Sequence, residues 1–311
     1  MDFRLTEDQR ALRKGVRELL ARRFDRGSLR AALDSPSLDR EMWRELGDAG
    51  FFALRLPEGE GGVGLGLPEA VLVFEEAGRV LLPGPLVATH LAAGSVPGAA
   101  EGAVVVTDAS EGLVPWLDAA DVVLGDVTDA VPVRSVDPLT PLHRVPGTGR
   151  CAHPPPSSGL RSSRGHPPRP AERLPATQLT GILLTAAEQV GSAQAAVDMA
   201  VSHARAREQF GQVIGGFQAV KHLCAGMLVR TELARAAVWA ASVTGDPVEV
   251  AGAKLLADEA AVGNARDCLQ VHGGMGFTWE ADVHLHLKRA WVRAELRMPA
   301  ARAEETVAAG L

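Results

Sequence analysis

The chain has 311 residues, 46% hydrophobic and 23% charged, enough apolar material for a sizeable core and too little polarity for wholesale disorder. A net charge of −6 and a pI near 5.9 argue against a general nucleic-acid binder, and no apolar run reaches the roughly 18–20 residues that span a bilayer. The start, Met1 to Asp8, carries acids where a signal peptide carries a basic stretch, and three widely spaced cysteines (Cys151, Cys224, Cys268) suit neither a disulfide framework nor a zinc site, so a soluble, cytoplasmic, metal-free protein is expected.

Residues 1–95 read as helices. Thr6 is placed to cap the first, whose apolar face runs through Leu12, Val16, Leu19 and Leu20. Met42, Trp43, Leu46 and Ala49 mark a second helix ending at Gly50, and Pro68 to Leu82 a further one. Between them Gly59, Gly61 and Gly64 fit a G-x-G-x-x-G pattern. A dinucleotide loop of that pattern follows a buried strand, and none precedes it here, so a glycine turn between helices is the expectation.

Residues 96–178 differ in character. Ala103 to Thr107 and Val122 to Leu124 are β-branched runs separated by Asp and Gly, as in a small region of four or five strands. Residues 132–175 hold 11 of the 20 prolines, seven Arg, no Lys and two acids, Asp137 and Glu172. This +5 stretch reads as a solvated linker; a basic binding arm is the other reading.

Residues 179–311 return to helices. Thr185 and Glu188 fit a capping box opening a helix that runs to about Arg205, and further helices are expected from about Phe217 to Val243 and from Pro247 to His272. Two segments differ from ordinary helix: Ala206 to Gln218 and Gln270 to Glu280. Each follows a helix with glycines that allow close approach of backbone or ligand, and Arg207 stands where a guanidinium could grip a phosphate. His284, His286 and Asp282 suggest a metal, but on a helix the two histidines point to different sides. The tryptophans Trp43, Trp239, Trp279 and Trp291 read as core or interface packing.

These segments, AREQFGQVIGGFQAVKH at 206–222 and QVHGGMGFTWEADVHLHLKRA at 270–290, together with TEDQ at 6–9 and GFFALRLPEGEGGVGLGL at 50–67, resemble the acyl-CoA dehydrogenase family. The resemblance implies a mainly α fold: a helical N-terminal domain (1–95), a reduced β middle domain with linker (96–178) and a four-helix-bundle-like C-terminal domain (179–311). It implies FAD as cofactor, an acyl-CoA substrate, electron-transfer flavoprotein as acceptor, and a homo- or hetero-oligomer built through the helices between Phe217 and His272. Carried over by position, the FAD contacts across a subunit interface fall on Arg207, Gln209, Phe210, Phe217 and Gln218, and on Gln270, Gly273 and Gly274.

The sequence departs from the family where the chemistry lies. α-Proton removal needs a carboxylate, yet the family's usual position for it falls on Arg297 and the alternative position on Gly181. A guanidinium accepts no proton. Glu295 and Glu188 lie nearby in sequence, but the two-residue offset of Glu295 from position 297 turns its side chain by about 200° on a helix. No catalytic base is therefore assigned. The middle region also lacks the family's hydroxyl-bearing flavin segment. Two readings follow, with a scaffolding paralogue as a third: an FAD-dependent acyl-CoA dehydrogenase, or a catalytically silent subunit that completes a partner's FAD site. Arg297 favours the silent subunit.

Overall fold

The computed structural model describes residues 4–34, 36–146 and 174–310. Helix α1 (Glu7–Arg23) opens with the expected cap: the Gln9 N–H donates to Thr6 Oγ1 at 3.2 Å and the Thr6 N–H to Gln9 Oε1 at 3.0 Å. Acids in its first turn and arginines in its last complement the helix dipole. Helix α2 (Arg26–Asp34), which the sequence reading did not single out, leads to α3 (Arg40–Asp48), where Asp39 accepts hydrogen bonds from the Glu41 and Met42 amides. The glycine-rich run is a turn, as expected. It folds back so that Val63, Gly64 and Leu65 donate to the carbonyls of Ala53, Leu56 and Leu54. Helices α4 (Leu67–Arg79) and α5 (Leu86–Ala92) follow.

Among the described residues the middle region holds five short strands. β1 (Val106–Asp108) pairs in parallel with β3 (Val122–Leu124), and β5 (Leu142–Arg144) lies between β2 (Leu113–Pro115) and β4 (Val131–Val133), antiparallel to both. Residues 131–144 are thus strand and turn, which corrects the linker reading for that stretch. Pro132 is compatible because β4 is an edge strand, where a missing N–H breaks no inner ladder. The remainder of the proline-rich run, residues 147–173, lies outside the described residues.

Helix α6 (Ala176–Ala206) starts after Pro175 and not at Thr185, so the capping-box reading is also corrected. Within the helix the Thr185 hydroxyl donates to the Gly181 carbonyl, and Glu188 accepts a hydrogen bond from Arg293. A hairpin of β6 (Glu208–Gln209) and β7 (Gln212–Val213) leads to α7 (Gln218–Thr244) and α8 (Pro247–His272), close to the expected spans. A 3₁₀ turn (Gly273–Phe277) precedes α9 (Val283–Glu295) and α10 (Ala300–Ala309).

The main apolar cluster runs from Leu20, Trp43, Phe52 and Phe74 to Ile182, Leu183, Ala257 and Met298, so the N-terminal helices and the C-terminal bundle share one core. Helix α4 lies on α6 through two glycines. A Cβ at Gly78 would collide with the Glu188 backbone and one at Gly191 with the Glu75 carbonyl, so the helices meet backbone to backbone. Helix α9 is tied inward by two arginines. Arg289 pairs with the fully buried Asp137 and reaches the Leu81, Leu82 and Leu139 carbonyls; Arg293 pairs with Glu188 at 2.9 Å. Buried Lys254 pairs with Asp258 and donates to the Arg293 carbonyl at the C-terminal end of α9.

Candidate functional site

The two distinctive segments meet at one end of the bundle. Near the end of α6 the His203 ring stacks on His272, at the end of α8, with centroids 4.1 Å apart. Arg207 leaves α6 in extended conformation into the β6–β7 hairpin. Phe210, at φ 54°, sits at the hairpin tip with 92% of its surface exposed, edge-on to Phe217 at 6.1 Å. Gly273 adopts φ 60° and ψ −142°, a region open essentially to glycine alone. A Cβ at Gly273 or Gly274 would meet open space. Arg207, Gln209, Phe210, Gln218, Gln270, Gly273 and Gly274 are all exposed here, with Phe217 half-buried. A guanidinium, carboxamides and uncovered backbone at one bundle end suit a ligand with phosphate and heterocyclic edges that arrives from outside.

The two positions singled out for a base also come together, on a different part of the molecule. A Cβ at Gly181 would lie 2.7 Å from Nη1 of Arg297. Residue 297 follows α9 with φ 66°, in the left-handed region, and its side chain is turned over the bare glycine. Glu295 is exposed, and Glu188 is committed to Arg293.

Beside Arg297 a cavity of about 80 Å³ opens between α5, the β1–β2 turn, α6 and α9. Asp108, Ser110 and Glu111 line it from the turn; Arg289, Arg293 and Arg297 line it from α9 and beyond. Asp108 Oδ2 stands 3.7 Å from Arg297 Nη1. Burial pushes the Glu111 carboxyl up to about 7, with Asp108 adding to the push and Arg297, Arg302 and Lys254 opposing it. Sequence reasoning missed Asp108 and Glu111, because Asp-Ala-Ser-Glu-Gly reads only as a turn.

His284 and His286 lie on different sides of α9, as expected. His286 is buried on Ser192 Oγ at 2.8 Å, with its pKa pushed down to about 3 by burial, while the His284 ring stacks on Trp279. Trp43 is a core residue, whereas Trp279 and Trp291 are about half exposed. No helix among the described residues is long and apolar enough to cross a membrane.

Comparison with known proteins bears on the family and the fold. The family model described as acyl-CoA dehydrogenase, N-terminal domain, matches residues 6–101, and the C-terminal domain model matches residues 181–297. Acyl-CoA dehydrogenase IpdE2 of Mycobacterium tuberculosis is 37% identical over 304 residues, covering 93% of each chain. Butyryl-CoA dehydrogenase of Megasphaera elsdenii shares the fold with a TM-score of 0.80 at 19% identity, covering 100% of this chain and 99% of that one. The ChsE4-ChsE5 complex of Mycobacterium tuberculosis matches with a TM-score of 0.79 at 22% identity, covering 99% and 98%. With both family models covering more than half its length, and a full-length relative alongside them, the chain belongs to the acyl-CoA dehydrogenase family.

Proposed function

We propose that the chain is a subunit of a heteromeric acyl-CoA dehydrogenase that completes a partner's FAD site without desaturating acyl-CoA itself. One observation carries this reading: the two positions expected to hold the base converge on one point, and that point holds a guanidinium over a bare glycine. The nearby carboxyls do not restore a complete site. They sit on the β1–β2 turn, at neither of the two positions expected for the base, and line a cavity of about 80 Å³, space for about five to eight waters.

The bundle end fits the other part of FAD. Arg207 offers a fork of donors for pyrophosphate, Gln218 and Gln270 offer amides for adenine or ribose edges, and Gly273-Gly274 leave backbone open to approach. When bound, FAD supplies the hydride acceptor; these residues would hold its nucleotide end. On this reading the partner contributes the base and the flavin-ring pocket, the assembly takes an acyl-CoA, and electrons pass on to electron-transfer flavoprotein. The outward face of α7 supports an assembled state, because Leu228, Val229, Leu233 and Val243 are 46–57% exposed there. The ChsE4-ChsE5 neighbour is itself a complex of two differently named chains.

The test is colour and turnover. Purified alone with FAD, the chain is expected to be colourless and inert toward acyl-CoA with an artificial electron acceptor. Co-expressed with a homologue that carries Glu at the base position, it is expected to co-purify as a yellow complex whose flavin content falls in Arg207→Ala. A yellow, active chain by itself would overturn the proposal and restore the self-sufficient dehydrogenase.

A further inference from the structure

We propose that the cavity beside Arg297 is a binding site for a short-chain carboxylate, its two oxygens held by Arg297 and Glu111 and its alkyl end against Leu86, Val87 and Val292. This goes beyond the role assigned above, which concerns the opposite resources of the chain at the bundle end.

Size comes first. A space of about 80 Å³ takes about five to eight waters, so it suits a ligand of about that many heavy atoms, such as propionate. The walls then specify polarity. Three arginines line the cavity, and two are spent: Arg289 on Asp137 and three carbonyls, Arg293 on Glu188. Arg297 makes no hydrogen bond among the described residues. Its ion pair with Asp108, at 3.7 Å, is too long to use a donor. A guanidinium only 17% exposed, with its N–H groups unspent, is an arrangement that an anion relieves.

Glu111 stands on the same cavity wall as Asp108, from the β1–β2 turn, and likewise makes no hydrogen bond or ion pair among the described residues. In this surrounding its carboxyl holds its proton to about pH 7, so it offers an O–H donor. Two donors on facing walls call for a group that only accepts, and a carboxylate is that group. A carboxamide lacks the charge that strengthens a hydrogen bond from a guanidinium, and of the wall groups beside Arg297 it is Asp108 that could accept from its NH₂. Apolar side chains of α5 and α9 line the rest, which accommodates a short alkyl tail.

The charges around Glu111 set the pH response. Arg297, Arg302 and Lys254 favour its ionised form, whereas burial and Asp108 oppose it. Above about pH 7 the site loses a donor and gains a negative charge, so carboxylate affinity is expected to fall by about tenfold per pH unit.

The experiment is isothermal titration of the full chain with sodium propionate, with propionamide as the uncharged isostere. Saturable binding of propionate, at least about tenfold weaker binding of propionamide, and loss of binding in Arg297→Met are expected. Glu111→Gln keeps a donor and lacks the proton, so it is expected to bind propionate with no dependence on pH between 6 and 8, about one unit either side of the Glu111 midpoint. It reports independently should Arg297→Met fail to fold by circular dichroism. Absence of saturable heat well above millimolar propionate, equal binding of propionamide, or unchanged binding in a folded Arg297→Met would overturn the proposal. None of these outcomes depends on flavin colour or turnover, so this test and that of the silent-subunit reading fail separately.

Discussion

Glu111 shows how one side chain couples the cavity to stability. Its ordinary pKa of 4.5 is raised to about 7 by burial. Below pH 4.5 the carboxyl is neutral in folded and unfolded chains alike and costs nothing. Between 4.5 and 7 the unfolded chain releases the proton while the folded chain retains it, so stability falls as pH rises through this window and levels off above it. Relative to Glu111→Gln, the wild type is expected to lose about 1–3 kcal/mol over that range, read from urea midpoints. His286 acts in the opposite sense, since its depressed pKa removes stability as pH falls from 6.5 toward 3, but this contribution is common to both proteins and cancels in the comparison. Counting along the family motif located Arg297 as a residue. That Gly181 lies beneath it and Asp108 and Glu111 beside it depends on a turn far away in sequence.

Helices α4 and α6 illustrate a rule that reverses between local and tertiary levels. By helix propensity alone, replacing Gly78 with Ala should stabilise by about 1 kcal/mol. The Cβ, however, would meet the Glu188 backbone, which cannot rotate aside as a side chain does. Gly78→Ala is therefore expected to destabilise by about 2–3 kcal/mol through separation of the helices, and Gly191→Ala similarly. Gly252→Ala on α8 is the control: a Cβ there meets nothing within 4 Å, so a gain of up to about 1 kcal/mol is expected. Thermal midpoints measured side by side check the sign. The element spans themselves were largely legible. Thr6 caps the start of α1, Pro247 starts α8, and β-branched runs between Asp and Gly mark β3. The start of α6 was not, because Thr185 and Glu188 imitate a cap at a place where the turns before them are already helical.

At the scale of the whole molecule, the Asp137–Arg289 pair joins the strand region, the α4–α5 connection and α9 in one buried contact. A formal charge removed from water in this way is tolerable only while it is paired. Asp137→Asn leaves the Arg289 guanidinium among neutral carbonyls, and a loss of about 3–5 kcal/mol in denaturant unfolding is expected. A loss below 1 kcal/mol, about that of an exposed pair, would show that the contact is not buried in solution. In sequence Asp137 is one acid in a proline- and arginine-rich stretch, with nothing to distinguish it from a solvated linker residue.

The sequence by itself determined the helical character of both ends of the chain, the β character of its middle and the family. Each of these rests on short-range signals: apolar periodicity, caps, β-branched runs, and contiguous motifs such as AREQFGQVIGG and QVHGGMG. Tertiary structure alone decided that the ends of α6 and α8 meet through His203 and His272, that Asp137 is buried, and that Arg297 overlies Gly181 beside a small acid-lined cavity. The physical reason is distance along the chain. Caps and periodicities act within a few residues, whereas a cavity or a buried ion pair joins side chains separated by a hundred residues or more, and its energy depends on burial that only the packed molecule defines.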